Sequence, residues 1–151
     1  MMEFFQWIEE SGLGIYIRED PWGFAIALSA HSVGMSFALG VVMVATLRAL
    51  NVLKQVPIVS HANLYTVAWV GFFINLISGL ALYASHATEY SYQSVFIMKL
   101  FLIIVGGVLF KKMIDAAAAD GDNASSTKLF AFLSLASWLG AIVTGRLMAY
   151  F

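Results

Sequence analysis

Cysteine is absent from this chain of 151 residues. Disulfides, thiolate metal sites and a cysteine nucleophile are thereby excluded. Charge is scarce: 11% of the residues are Asp, Glu, Lys or Arg, where a soluble domain carries roughly a quarter. The net charge is −1 and no basic stripe runs along the chain, so there is no electrostatic footprint for nucleic acid. No internal repeat is visible, and no spacing as specific as C-x-x-C-H occurs. What remains is apolar sequence, 61% of the residues, with a mean hydropathy of +0.85. The few charges gather in short segments between long apolar runs, the pattern of a polytopic membrane protein.

A bilayer crossing takes about 20 apolar residues. Four stretches reach that length, at about 22–47, 60–84, 95–114 and 128–150. The expected fold is all-α: an integral membrane four-helix bundle forming one transmembrane domain over 1–151, with a short amphipathic interfacial segment at about 1–20. Pro21, after the acidic pair Glu19 and Asp20, suits the first turn of the first span. Ser125, Ser126 or Thr127 is placed to cap the last helix. Residues 1–20 lack the basic start and uninterrupted apolar core of a signal peptide. They mix Phe4, Phe5, Trp7, Ile8, Leu13, Ile15 and Tyr16 with acids, as a segment lying in the interface does.

Basic residues set the expected orientation. Arg48 and Lys54 lie in the first loop, and Lys111, Lys112 and Lys128 flank the third. The other side offers Arg18 and Arg146. The positive-inside rule then puts the first and third loops in the cytoplasm and both termini outside, on the periplasmic side of a bacterial inner membrane.

Polar residues inside the spans carry the functional question. A cation there costs at least ~2.5 kcal/mol on insertion scales and usually has a polar partner or a ligand. At a rise of ~1.5 Å per residue, His31 and Asn75 lie roughly 13 Å below the outer surface, Ser78 roughly 9 Å, and Lys99 and Arg146 roughly 6–7 Å. All four helices thus place polar groups in the outer half. Ala68, Gly71, Asn75, Ser78, Gly79, Leu82 and His86 form one stripe on the second span, and His31 lies beside Gly34, Met35 and Ala38 on the first. Simpler readings stand beside this one. Lys99 and Arg146 can snorkel to headgroups, and Asn75 can be helix–helix glue. His61 can cap the second span, and His86 can be a loop residue.

A haem b between helices needs an axial imidazole, an apolar slot and cations for two propionates. His31 supplies the imidazole, Gly34, Gly71, Gly79 and Gly106 offer room, and Lys99 and Arg146 mark where propionates emerge. Asn75 lines the same pocket. His86 is the candidate second metal ligand if the second helix runs far enough. The seven methionines are dispersed and read as packing rather than a copper box.

The runs SAHSVGMSFALGVVMVATLRALNV, GFFINLISGLALYASHATEY and SVFIMKLFLIIVGGVLF resemble an uncharacterised bacterial family of small four-span inner-membrane proteins. More remotely, the layout is similar to the CopD copper-resistance membrane domain and to HemJ, a haem-containing oxidase. The latter resemblance implies functional roles for His31 and Lys99, its first-span His and third-span Lys. Three functions are therefore expected in order: a haem-b protein for electron transfer or a small subunit of a membrane redox complex; a cofactor-free accessory subunit; a CopD-like metal permease. No independent catalytic activity is expected. The expected partners are the lipid bilayer and either further copies of the chain or other membrane subunits, with no nucleic acid.

Overall fold

The computed structural model describes residues 2–53, 62–148 and 150. Seven helices occur among them: α1 (Met2–Glu9), α2 (Gly12–Glu19), α3 (Pro21–Ala49), α4 (Ala62–Ser85), α5 (Ala87–Tyr92), α6 (Ser94–Asp120) and α7 (Ser125–Leu147). Four of them, α3, α4, α6 and α7, are long and apolar enough to cross a membrane. The protein is a multi-pass membrane protein built as an all-α four-helix bundle.

Local chemistry explains the helix ends. Asp20 is the N-cap of α3, its carboxylate accepting the N–H groups of Trp22 at 2.8 Å and Gly23 at 2.9 Å. Pro21 occupies the first turn, where its missing N–H costs nothing. Helix α6 runs on to Asp120, past the expected end at 114. Its tail carries an alanine run and a Lys111–Asp115 pair at 3.7 Å one turn apart, so the helix outlasts the apolar stretch. Gly121, at φ +94°, ends it in a conformation that only glycine adopts freely. The expected cap of α7 takes another form. Ala124 stands at the N-cap position with no side-chain bond, while the Ser126 hydroxyl donates to Asp120 and that of Thr127 to the Gly121 carbonyl. These hydroxyls fasten the α6–α7 turn instead of opening α7. The expected start of the second span at 60, and His61, lie outside the described residues.

Two antiparallel hairpins make the bundle, α3 with α4 and α6 with α7. Gly34 and Gly71 let the first pair approach backbone to backbone: a Cβ on Gly34 would stand 2.5 Å from the Asn75 nitrogen, and one on Gly71 2.8 Å from the Ala38 nitrogen. In the second pair the buried Ser134 hydroxyl donates to the Gly106 carbonyl at 3.0 Å, and Trp138 lies over Gly106. The hairpins join through α3 and α7. Buried Thr46 faces the Ala131 carbonyl there, and Ala45, Ala49, Met113, Ala117 and Ala131 form a small core. Beyond that core Arg48 pairs with Asp122 at 3.1 Å.

Helices α1, α2 and α5 cap the other end. The expected single interfacial segment is two helices, broken at Glu10 and Ser11, and it docks on protein as well as presenting an apolar face. Gly14 of α2 comes so near α4 that a Cβ would stand 2.8 Å from the Ala84 oxygen. The Glu9 carboxylate accepts the Thr88 hydroxyl at 2.6 Å and the Thr88 N–H at 3.1 Å, supplying a cap to α5 from across the fold. Met2, Phe4, Trp7 and Leu13 remain exposed.

Candidate functional site

One cavity of about 30 Å³ lies between the two hairpins and receives side chains from all four long helices. Its polar members are His31 of α3, Asn75 of α4, Lys99 of α6 and Trp138 of α7. Met35, Phe72, Ile103 and Ile142 are among its apolar walls. A volume near 30 Å³ has room for about two water-sized probes.

His31 and Asn75 tie α3 to α4 by an exchange. The imidazole Nδ1–H donates to the Asn75 carbonyl at 3.0 Å, and the Asn75 side-chain amide donates to the His31 carbonyl at 2.8 Å. A carbonyl only accepts, so Nδ1 carries the proton and Nε2 is the nitrogen left for another partner. Ser78 supports the ring at 3.3 Å and returns its own hydroxyl proton to Ile74 at 2.6 Å. Gly79 gives the ring its berth, since a Cβ there would stand 3.1 Å from Cε1.

Lys99 has no hydrogen bond or ion pair among the described residues. Its stem lies along α7, with Cε 3.4 Å and Nζ 3.5 Å from where a Cβ on Gly145 would be. Lys99 and His31 line the same cavity. Trp138 brings a second uncommitted group, because its indole N–H is buried with no partner among the described residues.

The structure brings His31, Asn75 and Lys99 together as expected, but not the others. Arg146 is exposed and does not line the cavity, because its place on α7 turns it away from Lys99 and toward the surroundings of the bundle. Gly34 is not a wall of open space; its face is filled by the backbone of Asn75. His86 stands in the turn after α4 and bonds Ser85 at 2.9 Å. It follows Gly79 by seven residues and does not line the cavity that holds His31. No cluster of three or more metal-ligating side chains occurs among the described residues. Trp138 was the residue the sequence reading passed over. Its signal was the α7 stripe Ser134, Trp138, Ala141, Gly145, in steps of three and four with small neighbours.

Chemically the site combines a cation with no partner among the described residues, an imidazole whose Nε2 has none there either, and an indole donor above apolar walls. The macrocycle slot expected from the glycines is not formed. Gly34 and Gly71 are closed by each other's helices, and Trp138 covers Gly106 with its indole edge 3.0 Å from a Cβ position there.

No curated protein and no solved structure matches the chain, and no similarity to the CopD membrane domain or HemJ is shown. A family model matches residues 4–151, almost the whole length. The chain belongs to that family, described as a family of unknown function (DUF6644).

Proposed function

We propose that this protein holds a small ligand inside the membrane, in the cavity between its two helical hairpins, with His31 and Lys99 as the contact residues. One observation carries the reading: Lys99 is a cation within a membrane span, beside a second basic group, with no partner among the described residues. Such a group usually answers to a ligand. Snorkelling is the competing account, and the two differ in outcome. Protein released from its own membranes and weighed by native mass spectrometry should carry a bound mass that Lys99→Met and His31→Ala both lose. An identical spectrum for wild type and both variants would sink the reading.

Haem b remains a second occupant on one observation. The Nδ1–H of His31 is held by a carbonyl, the support that orients iron-ligating imidazoles through their other nitrogen. The packed helices leave no room for the ring, so a haem would require the hairpins to part. Absorbance of protein expressed with haem supplied decides this, and the absence of a Soret band removes the haem reading.

We also infer an inner-membrane location with the capped end outside. The support is charge: Arg48, Lys111, Lys112 and Lys128 flank the end away from α1, α2 and α5, and Arg18 and Arg146 the capped end.

A further inference from the structure

We propose that the cavity binds a single-chain amphiphile with a carboxylate head, such as a long-chain fatty acid, with the carboxylate between Lys99 and His31. The inference rests on the ligand-holding reading above and names the class of ligand.

Charge selects an anion. Lys99 and His31 share the cavity and no Asp or Glu lines it among the described residues. A monoanion neutralises the ammonium without leaving a further charge unpaired in the bilayer. Nε2 of His31, left over once Nδ1 has bonded Asn75, can accept from a carboxylic acid or, protonated, donate to a carboxylate.

Size selects the head. A cavity of about 30 Å³ takes a group of about two water volumes. The three heavy atoms of a carboxylate meet that limit. A quinone ring or a macrocycle exceeds it.

Polarity sets the direction. Lys99 leans along Gly145 toward the capped end, while Met35, Phe72, Ile103 and Ile142 lie around the cavity. A ligand with its head toward the capped end and its chain toward the bilayer centre keeps the orientation of any amphiphile in that leaflet.

The fourth side of the bundle provides the way in. Helices α4 and α6 do not pack backbone-close as the other neighbouring pairs do. They meet through aromatic pairs near their ends, Tyr83 with Phe96 at 5.5 Å and Tyr65 with Phe110 at 6.4 Å. Phe72 and Asn75 on one side, and Lys99 and Ile103 on the other, belong to the stretch between those pairs. A chain already in the bilayer can enter there without crossing water.

Trp138, in the cavity wall, is a built-in reporter. Trp7, Trp22 and Trp69 are 70%, 74% and 60% exposed, so replacing them with Phe leaves Trp138 as the sole tryptophan, excited selectively at wavelengths beyond tyrosine absorption, at little cost to packing. In phosphatidylcholine nanodiscs, dibromostearate should quench Trp138 saturably, and beyond the quenching by brominated phosphatidylcholine. Oleate should relieve the quenching and oleyl alcohol should not. Lys99→Met should raise the half-saturating concentration on the order of tenfold or more, as loss of a counter-ion in a partly buried site does. Lys99→Arg should retain binding, and Lys111→Met, at the far end of α6, should change nothing. Equal quenching in Lys99→Met, or relief by oleyl alcohol as good as by oleate, overturns the assignment. Native mass spectrometry separates this from the broader reading. A Lys99-dependent bound mass that is not an acyl carboxylate overturns the carboxylate and leaves the ligand cavity standing. Neither saturable quenching nor any Lys99-dependent mass overturns both.

Discussion

At the scale of single residues, Lys99 and Arg146 part company. Both are cations near one end of a span, and depth alone makes them equivalent. The structure puts Lys99 in the cavity wall and leaves Arg146 exposed. Lys99→Met should therefore lose the bound ligand while insertion becomes easier, because a charge costing at least ~2.5 kcal/mol in a span has gone. Arg146→Met should keep the ligand. Ligand content against thermal unfolding in detergent checks the pair, and equal ligand loss in both variants would refute the distinction. His31→Ala should do two things at once. It removes a ligand contact and also the ring's bonds to Asn75 and Ser78 that help tie α3 to α4, a loss of roughly 0.6 kcal/mol and at most ~1.7 kcal/mol for a polar bond within membranes. A variant that lost ligand with no change in unfolding would show that the bond to Asn75 contributes nothing.

At the scale of elements, the glycines divide by what faces them. Gly71→Leu should drive α3 and α4 apart, since even a Cβ would meet the Ala38 nitrogen at 2.8 Å. Overpacking of this kind costs about 1–3 kcal/mol. Gly40 and Gly107 have nothing within 4 Å of a Cβ, so alanine there should be neutral or mildly stabilising. Unfolding of the three variants in one detergent tests the contrast; a Gly71→Leu protein as stable as Gly107→Ala would show that the helix crossing is not close.

The docking of α1 on α5 has a pH dependence with a definite sign. The Thr88 hydroxyl is the main reason the Glu9 carboxyl is held below its usual range. The Thr88 N–H, Arg18 and His86 add to the effect, and desolvation opposes it. A carboxyl depressed in the folded state contributes stability above its unfolded pKa and loses it as pH falls through the folded value. The protection factors of the α1 amides, which correct for the intrinsic pH dependence of exchange, should therefore fall at acid pH, below the ordinary carboxylate range. Glu9→Gln should show raised exchange already at neutral pH, and protection that is flat with pH in the wild type would exclude Glu9 as the clasp.

At the scale of the whole molecule, the absence of cysteine makes topology directly measurable. Single cysteines introduced at Gln6 and at Ser126, both in described helices, should react oppositely with a membrane-impermeant maleimide in intact cells. Labelling at Gln6 and protection at Ser126 is the result expected from the distribution of basic residues, and the reverse would invert the orientation. The broad exposed apolar surface of α4 and α6, including Trp69, Phe73, Ile77, Phe101 and Ile104, is what lipid contact requires.

The class, the four spans and the polar set were legible in the sequence. Apolar runs of bilayer length can hardly be anything but spans, because backbone groups in hydrocarbon must bond within their own segment. Asp20 with Pro21 announced the start of α3 for an equally local reason. That His31, Asn75 and Lys99 lie near one depth followed from counting residues. Tertiary structure alone decided which of these groups meet. Rotation about a helix axis and the choice of neighbours depend on side chains from other helices, which no single run specifies. Gly34 and Gly71 turned out to be a crossing rather than a slot because they face each other. Arg146 was lost to the site by the rotation of α7, and Trp138 was gained by it. The clasp of Glu9 on Thr88 spans 79 positions, a separation at which periodicity and local propensity carry no information.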